Sequence, residues 1–338
     1  MSAVARAATA IAHPNIALAK YWGKRDGGGN YPAVPSLSVT LAGLSTRTRV
    51  EFRADAPADA LVLNGEPADM RAVERATVLL DRVRAAAKIA TRAVVTSRND
   101  FPTASGLASS ASGFAALAVA SVRAAGLDWG ADRTSDLARR SSASAARSLF
   151  GGFVELPAGD VGMIDEPLSA SAFAPADHLP LRVLVCVATE GAKSIGSTDG
   201  MRATATLSPY HQAWLEDGPK VFVEMKRALA ARDFGKVGEL AERSALAMHA
   251  NAIAAGLLYW SGVTIEALAG VRALRARGTP VFATIDAGPH VKVLVREEDA
   301  ALAGTWMRAV PGVLRVIECE PGEGARVVAD ADETERAP

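Results

Sequence analysis

The sequence predicts an α+β protein, and three patterns lead to this prediction. Apolar residues alternate with polar ones early in the chain, as with Leu37, Val39 and Leu41 in SLSVTL, which is typical of half-buried strands. A continuous apolar run, LRVLVCVA, opens the second half and indicates a buried strand. The elements after residue 180 follow the order strand, helix, strand, strand, helix, strand, which favours an α+β sandwich.

The first half combines several strands with two helices. A second alternating strand, TRTRVEF, follows the first after a connection containing Gly43, so the two form a plausible hairpin. LVLNGEP adds a short strand that ends in a turn at Asn64 and Gly65. The remaining elements are a helix over 70–87, a strand over 91–98, a helix over 107–125 ended by Gly126, and a strand in GGFVEL.

Residues 157–180 show no clear periodicity, and we interpret them as a connection between two domains, 1–180 and 181–330. In the second domain we expect helices over 209–231, 235–255 and TIEALAGVRALRARG, and a short helix over 299–309. Strands are expected in PVFATID, HVKVLVR and GVLRVIE. GSTDGMRATATLSP is expected to be a polar loop, and the tail after residue 325 is expected to fray.

Composition excludes several classes of function. The chain has 338 residues, 49% hydrophobic and 22% charged, with 37 basic and 37 acidic residues and no Lys/Arg-rich run. Such a balance does not favour nucleic-acid binding, although a few placed cations could hold a small anionic substrate. No secretory pattern or membrane-length apolar stretch occurs, so we expect a cytoplasmic protein. Cys186 and Cys319 lie in apolar runs and are expected to be buried thiols.

The first candidate site is the Gly/Ser-rich segment FPTASGLASSASGFAAL, which leads into a helix. Small residues and free backbone N–H groups at a helix N-terminus suit phosphate, and Ser109 and Ser110 could add hydroxyls to phosphate or Mg²⁺. The segment lacks the lysine of a GxxxxGK[ST] loop. On composition alone, a small-residue helix that packs tightly is the stronger interpretation.

The second candidate is HPNIALAKYWGKRD, in which Lys20 and Lys24 lie four residues apart. In a helix or in an extended strand, the two cations would point the same way and could clamp an anion. The alternative is an amphipathic segment with solvated lysines and a half-buried Trp22.

A third candidate is RRSSASAARSLFGGFVE, where serines such as Ser142 precede Arg147. Hydroxyls and one guanidinium group are a recurrent means of holding phosphate or carboxylate. The alternative is a helix N-terminus with serine caps and a surface arginine.

The fourth candidate is Asp286, which ends the strand in PVFATIDAGPHVKVLV. A carboxylate at a strand end is a frequent catalytic position, although an Asp can also satisfy backbone donors in a turn. His249 has no metal-spaced partner, so we expect it to be packed or partly exposed rather than a base or ligand, and we expect no metal site built from protein ligands.

Taken together, these segments resemble the mevalonate diphosphate decarboxylase family, a branch of the GHMP kinases. KYWGKRD, SLSVTL, FPTASGLASSASGFAAL, ARSLFGGFVE, STDGM and DAGP occur in the family's order and span most of the chain. The resemblance implies a GHMP-kinase fold, with an N-terminal domain like ribosomal protein S5 and a C-terminal ferredoxin-like domain. It also implies ATP, Mg²⁺, a homodimer, and ATP-dependent decarboxylation of mevalonate 5-diphosphate to isopentenyl diphosphate through phosphorylation of the 3-hydroxyl.

The resemblance implies roles for particular residues. Asp286 matches the catalytic aspartate that orients or deprotonates the 3-hydroxyl, Lys20 the lysine beside the transferred phosphoryl group, and Arg147 the arginine that holds the substrate carboxylate. Positions matched to the substrate and its diphosphate are Tyr21, Lys24 and Ser142. Positions matched to the ATP phosphate loop are Gly106, Leu107, Ala108, Ser109 and Ser110.

The sequence also departs from the family pattern. Val34-Pro35-Ser36 replaces Asn-Ser-Ser before the SLSVTL strand, and the run over 141–147 lacks the family's Gly-Ser-Gly-Ser-Ala-Cys-Arg. AAGLLYWSGVT replaces a Phe-Pro-Pro stretch and is similar to phosphomevalonate decarboxylases of the same branch, which act on the monophosphate. Lys24 supports the diphosphate. A mevalonate 3-kinase and a catalytically silent binding protein are further alternatives.

Overall fold

The computed structural model describes residues 7–101, 109–191 and 195–329, which form two β-sheets covered by α-helices. The strands are β1 Ala7–Ala12, β2 Asn15–Ala19, β3 Ser36–Ala42, β4 Thr46–Arg53, β5 Ala60–Leu63, β6 Glu66–Pro67, β7 Arg92–Asn99, β8 Phe153–Leu156, β9 Ser171–Ala174, β10 Leu181–Val187, β11 Val281–Ile285, β12 Val291–Arg296, β13 Arg315–Pro321 and β14 Arg326–Val328. The helices are α1 Met70–Ala87, α2 Ser109–Ala124, α3 Ala131–Ser141, α4 Ala143–Arg147, α5 Ser197–Leu207, α6 His211–Ala230, α7 Phe234–Ala254, α8 Gly262–Ala276 and α9 Ala300–Arg308. The mixture of sheets and helices confirms the α+β prediction.

The first sheet has the strand order β14-β1-β4-β7-β5-β6, and β5 with β7 is its parallel pair. Strand β4 alternates buried residues with more exposed ones, so it presents one face to the core. That face carries Val50 and Phe52, which pack with Leu79, Leu80 and Val83 of α1. The alternation read from TRTRVEF is therefore the pattern of a sheet covered on one face.

Helix α2 lies in the centre of this first core. Ten of its 16 residues are buried, and most of these are alanines and serines. Small side chains let the helix axis approach the strands closely, so the packing interpretation of this segment is confirmed for the residues from Ser109 onward. The packing does not exclude phosphate binding, because the helix N-terminus is a separate surface from its buried flank.

The second sheet joins the two halves of the chain. Its order is β11-β12-β10-β13-β3-β8-β9, with β2 paired to β3. Strands β13 and β3 meet through Glu320 opposite Ala42 and Pro321 opposite Leu41. Helix α7 packs against both β2 and β11, which brings the ends of these two strands to the same helix.

Several predicted elements agree with the structure and others do not. The predicted helix over 70–87 has the same bounds as α1. The prediction of a polar loop over GSTDGMRATATLSP is wrong, because α5 forms there and buries Met201 and Thr204. The prediction of a frayed tail after residue 325 is wrong as far as residue 328, because β14 pairs with β1. Strand β9 also lies within the segment over 157–180 that was interpreted as a connection between two domains.

The two cysteines are free and buried, which confirms the expectation for both thiols. Within the ranges that the structure describes, no helix combines the length and the apolar character needed to cross a membrane.

Candidate active site

The centre of the site is an ion pair between Lys20 and Asp286. Lys20 follows β2 and Asp286 follows β11, and the Lys20 Nζ atom donates to Asp286 Oδ1 over 2.7 Å. The backbone N–H of Lys20 donates to the Ser244 hydroxyl on α7 at 3.0 Å, which fixes the lysine against that helix. Lys20 is 3% exposed, whereas the Asp286 side chain keeps 25% of its surface accessible. Part of the Asp286 side chain therefore stays accessible to a ligand, although its Oδ2 atom is buried.

A second lysine, which sequence reasoning missed, completes this arrangement. Lys292 on β12 is buried, and its Nζ atom lies 3.2 Å from Asp286 Oδ2. Burial alone raises the pKa of the Asp286 carboxyl, but Lys20 and Lys292 outweigh burial and hold that pKa well below its usual range. Lys292 is a buried residue of the segment HVKVLVR. A lysine inside an otherwise apolar strand was the sequence pattern that could have indicated a buried ion pair.

The pKa of Lys20 is lowered to about 8, mainly by burial, while Asp286 acts in the opposite direction. Lys292 and Arg147 add further positive charge and lower it as well. Two buried lysines around one carboxylate leave a positive excess, which attracts an anion into the site.

Arg147 ends α4 and is a buried residue, so the surface-arginine interpretation of this segment is wrong. Its guanidinium group donates to the Ser36 hydroxyl at 2.8 Å and to Asn15 Oδ1 at 3.2 Å. Both acceptors are neutral, and the guanidinium forms no ion pair with a carboxylate in the described ranges. Burial lowers its pKa to about 10, although Tyr21 and Asp286 oppose the shift. A desolvated cation held by neutral groups is a suitable binding group for an anionic ligand.

Tyr21 lies beside Arg147. Burial raises the pKa of its phenol, and the charges of Arg147 and Arg139 partly offset this. The hydroxyl is buried, and in the part of the chain that the structure describes it has no hydrogen-bond partner. An unsatisfied hydroxyl beside a buried guanidinium is a further sign that a polar ligand belongs there.

Lys24 lies in a separate cationic group. Its Nζ atom donates to Asn30 Oδ1 at 2.7 Å and to the Thr198 hydroxyl on α5 at 2.9 Å. Burial lowers the pKa of Lys24 to about 8, and the charges of Arg75 and Arg202 add to the shift, while Asp199 opposes it. Lys24 and Lys20 therefore serve different parts of the site.

The predicted geometry of HPNIALAKYWGKRD is wrong in one respect. The chain is neither a helix nor one extended strand from Lys20 to Lys24, because β2 ends at Ala19 and Gly23 turns the backbone at a φ of +102°. The two lysines consequently bind different partners rather than clamping one point.

Ser142 precedes α4, and its hydroxyl lies 3.1 Å from that of Ser144. Ser109 and Ser110 form the start of α2, with Ser110 exposed at the positive end of the helix. Gly106, Leu107 and Ala108, the other predicted ATP-binding residues, lie outside the described residues.

His249 is a buried residue of α7, as expected. Its ring centroid lies 5.0 Å from that of Trp260. Burial, aided by the Lys20 charge, lowers its pKa to about 3, so the imidazole is neutral. Among the described residues no group of three or more potential ligands could hold a metal ion.

Comparison with known proteins assigns both halves of the chain. Residues 12–166 match the family described as diphosphomevalonate decarboxylase-like N-terminal domain, and residues 183–322 match the mevalonate 5-diphosphate decarboxylase C-terminal domain. Diphosphomevalonate decarboxylase mvd1 of Aspergillus fumigatus is 35% identical, over 90% of this chain and 80% of that protein. Phosphomevalonate decarboxylase of Haloferax volcanii is 37% identical, over 86% of this chain and 89% of that protein.

A solved structure, MDDEF in complex with MVAPP, AMPPCP and magnesium, has a TM-score of 0.88 and 38% identity to this chain. The match covers 95% of this chain and 98% of that one. The fold and the charged site together define a protein of the GHMP-kinase fold class. The chain belongs to the diphosphomevalonate decarboxylase family, which confirms the resemblance drawn from its ordered motifs.

Proposed function

We propose that this protein catalyses the ATP-dependent decarboxylation of mevalonate 5-diphosphate to isopentenyl diphosphate, ADP, phosphate and CO₂. The observation that carries the proposal is the buried guanidinium of Arg147, which forms no ion pair among the described residues and lies beside the Lys20–Asp286 pair. A desolvated guanidinium suits the substrate carboxylate, which a decarboxylase must hold until CO₂ leaves; a mevalonate 3-kinase would bind the same carboxylate, so CO₂ release separates the two. Membership of the family supports the same reaction.

The reaction has two stages, phosphoryl transfer and then elimination of phosphate with loss of CO₂. The 3-hydroxyl oxygen attacks the γ-phosphorus of ATP, ADP leaves, and the hydroxyl proton is lost. The C3–O bond then breaks with release of phosphate, and the C1–C2 bond breaks with release of CO₂. The electron pair of the C1–C2 bond forms the new double bond between C2 and C3. Phosphorylation is needed because a tertiary hydroxyl is a poor leaving group.

Asp286 would orient the 3-hydroxyl and stabilise positive charge that develops at C3. Its pKa lies well below the usual range, so the carboxylate is ionised at working pH and is a weak base. Phosphoryl transfer through a loose transition state requires little deprotonation before the oxygen attacks. The low pKa therefore favours orientation and charge stabilisation over full proton abstraction.

Lys20 would neutralise negative charge on the transferred phosphoryl group, since its ammonium is buried and held toward Asp286. Arg147 would bind the substrate carboxylate through the N–H groups that Asn15 and Ser36 do not take. Tyr21, Ser142 and Lys24 would bind the substrate and its diphosphate. The cationic group around Lys24 suits a highly charged anion.

Ser109, Ser110 and the N–H groups in the first turn of α2 would bind the ATP phosphates, together with Gly106, Leu107 and Ala108. This donor set is suited to phosphate oxygens, since a helix N-terminus favours anions. Mg²⁺ when bound would neutralise phosphate charge; it needs few protein ligands because it retains waters and binds phosphates directly.

A second candidate keeps the reaction but uses mevalonate 5-phosphate. Two observations favour it: the AAGLLYWSGVT stretch and the 37% identity with the phosphomevalonate decarboxylase of Haloferax volcanii. Tyr259 and Trp260 of that stretch pack around His249, next to the Lys20–Asp286 pair.

One assay separates these candidates. The protein is incubated with ATP, Mg²⁺ and either mevalonate, its 5-phosphate or its 5-diphosphate, and ADP and CO₂ are followed together. We expect equal release of ADP and CO₂ with the diphosphate. Turnover of the monophosphate alone would assign the second candidate, ADP without CO₂ would indicate a mevalonate 3-kinase, and no turnover would indicate a silent relative.

We further propose two domains, 1–180 and 181–330, and a cytoplasmic homodimer. The family membership supports the domain division, since the two family matches end and begin on either side of residue 180. Light scattering coupled to size exclusion tests the dimer, and a monomeric mass at assay concentrations would exclude it.

A further inference from the structure

Asn30 connects the cationic group around Lys24 to the chain segment that carries Ser142. Its Oδ1 atom accepts from Lys24 Nζ at 2.7 Å, and its Nδ2 atom donates to the backbone carbonyl of Arg140 at 2.7 Å. The two contacts fix the orientation of the amide, because the ammonium can only donate and the carbonyl can only accept. Asn30 thus connects Lys24, a predicted diphosphate ligand, to Arg140. Arg140 lies two positions before Ser142, a second predicted ligand.

The backbone around Asn30 is built to present this side chain. Asn30 has a φ of +57° and follows three glycines that also have positive φ, Gly27, Gly28 and Gly29. Asparagine is one of the few residues with a side chain that tolerates this region. The loop is closed by the pairing of Lys24 with Pro32 and by a hydrogen bond from Arg25 N to Tyr31 O at 2.9 Å.

The loop is anchored from the protein interior by Arg139. This buried arginine donates to the Gly29 carbonyl, and its guanidinium carbon lies 4.1 Å from the centroid of the Tyr31 ring. It also pairs with Asp136 at 2.6 Å on its own helix. Asn30 is therefore held on a rigid base, and its contact with Lys24 is not that of a free surface side chain.

The neutrality of Asn30 is chemically significant. Lys24 is held by the Asn30 amide and by the Thr198 hydroxyl, and neither partner cancels its charge. An ammonium group has three N–H donors, so two contacts leave one for an anion. A carboxylate at position 30 would hold the same ammonium but would neutralise it.

We propose that Asn30 is a positioning residue for the substrate's phosphate end, acting through Lys24. Its amide fixes the direction of the Lys24 ammonium and preserves the charge that attracts phosphate. This inference rests on the proposed function, in which Lys24 binds the substrate diphosphate.

The test uses four variants of the full-length protein. Asn30→Gly removes the amide and keeps the left-handed backbone, and Asn30→Asp keeps the acceptor and adds a charge. Asn64→Gly is the matched control, because Asn64 also has a positive φ of 52° and its Oδ1 accepts from the Asn99 backbone at 2.8 Å, in the β5–β6 turn. Lys24→Met tests the premise that Lys24 binds the substrate diphosphate.

For Asn30→Gly we expect the KM for mevalonate 5-diphosphate to rise roughly tenfold, the effect of losing a hydrogen bond to a charged group. The kcat and the KM for ATP should stay within about twofold, as a positioning role at the phosphate end requires. Asn30→Asp should raise the substrate KM at least as much, and Asn64→Gly should leave it unchanged.

The outcomes separate this inference from its premise. If Lys24→Met raises the substrate KM and Asn30→Gly does not, Asn30 has no positioning role while the proposed function stands. If Lys24→Met leaves the KM unchanged, both the role of Lys24 and the inference from it are wrong. An equal rise in the KM for substrate and for ATP in Asn30→Gly, or an effect as large in Asn64→Gly, would show a general structural effect and overturn the inference.

Discussion

The Lys20 ammonium and the Asp286 carboxylate lie 2.7 Å apart although 266 positions separate them in the chain. Helix α7 makes this possible, because it packs against both β2 and β11, the strands that these residues follow. The same carboxylate has Lys292 at 3.2 Å on its other oxygen. The two lysines and the one carboxylate together carry an excess of positive charge, which suits the proposed binding of a carboxylate, a phosphorylated substrate and ATP.

We expect Asp286→Ala to lower kcat by about 1,000-fold or more, the scale of removing one preorganised electrostatic group. The reacting oxygen would lose its orienting partner, and positive charge at C3 would lose its stabilisation. ATP affinity should change by less than about threefold, because we propose that ATP is bound through other residues, such as Ser109 and Ser110. Coupled assays of ADP release and titration with a non-hydrolysable ATP analogue measure the two effects.

Asp217→Ala is the control for this substitution. Asp217 forms an ion pair with Arg243 at 2.7 Å on exposed helix surfaces, so its removal deletes a carboxylate of ordinary environment. Turnover by Asp286→Ala close to that of Asp217→Ala would contradict the role given to Asp286.

The two lysines around Asp286 predict a specific rescue of stability. Asp286→Ala leaves Lys20 and Lys292 buried with the shared carboxylate gone, and we expect the free energy of unfolding to fall by about 3 kcal/mol. Adding Lys292→Met should recover at least about 1 kcal/mol, since one buried charge is replaced by an apolar chain of similar length. Activity should not return. Urea denaturation of the wild type, both single variants and the double variant measures the coupling between Asp286 and Lys292. If the two single-variant losses in unfolding free energy simply add in the double variant, the coupling is refuted.

Three residues of the candidate site could be selected from the sequence because they lie in short motifs with distinctive chemistry. Asp286, Lys20 and Arg147 were assigned through ordered motifs, and the structure places them in one electrostatic group. Lys292, Asn15 and Asn30 were missed because their contacts with Asp286, Arg147 and Lys24 are made by partners that the fold supplies. Lys292 looked like one polar residue in an apolar strand, and Asn15 holds an arginine 132 positions away.

The fold was predictable where hydrophobic periodicity was strong, as in α1 and β4. It was missed where small residues dominate, since AATAIA and NIALA of β1 and β2 carry little β-propensity of their own. These strands are stabilised by pairing with β4 and β3, which lie at a distance in the chain. Helix α5 was missed because its first turn is polar. The burial of Met201 and Thr204 depends on tertiary contacts such as the hydrogen bond from Trp22 to Thr204, which the local sequence does not reveal.

The lowered pKa values of Lys20 and Lys24 predict a loss of activity at alkaline pH. Both groups have a pKa of about 8, below the ordinary value of 10.5. Both must be protonated to make the phosphate contacts that we propose for them. The kcat/KM for the diphosphate substrate should therefore be constant below about pH 7 and fall above pH 8. Because two groups titrate together, the logarithmic slope should exceed 1 at high pH.

The variant Lys24→Arg tests this assignment, since a guanidinium stays charged over the whole range. Its kcat/KM will be lower, but the alkaline slope should fall to about 1 as only Lys20 remains to titrate. An unchanged steep slope in this variant would mean that Lys24 is not one of the titrating groups.

Arg147 should contribute to binding and little to stability. Its guanidinium is buried against the neutral Asn15 and Ser36, so Arg147→Met removes a desolvated charge while costing two hydrogen bonds. These effects oppose each other, and we expect the free energy of unfolding to stay within about 1 kcal/mol of the wild type.

The kcat/KM should fall by about 100-fold or more, because the substrate carboxylate loses its bidentate partner. Thermal melts with and without substrate measure both effects: substrate should raise the melting temperature of Arg147→Met much less than that of the wild type. A variant that melts far below the wild type, or one that substrate still stabilises fully, would show that Arg147 is a structural residue and that another group holds the carboxylate.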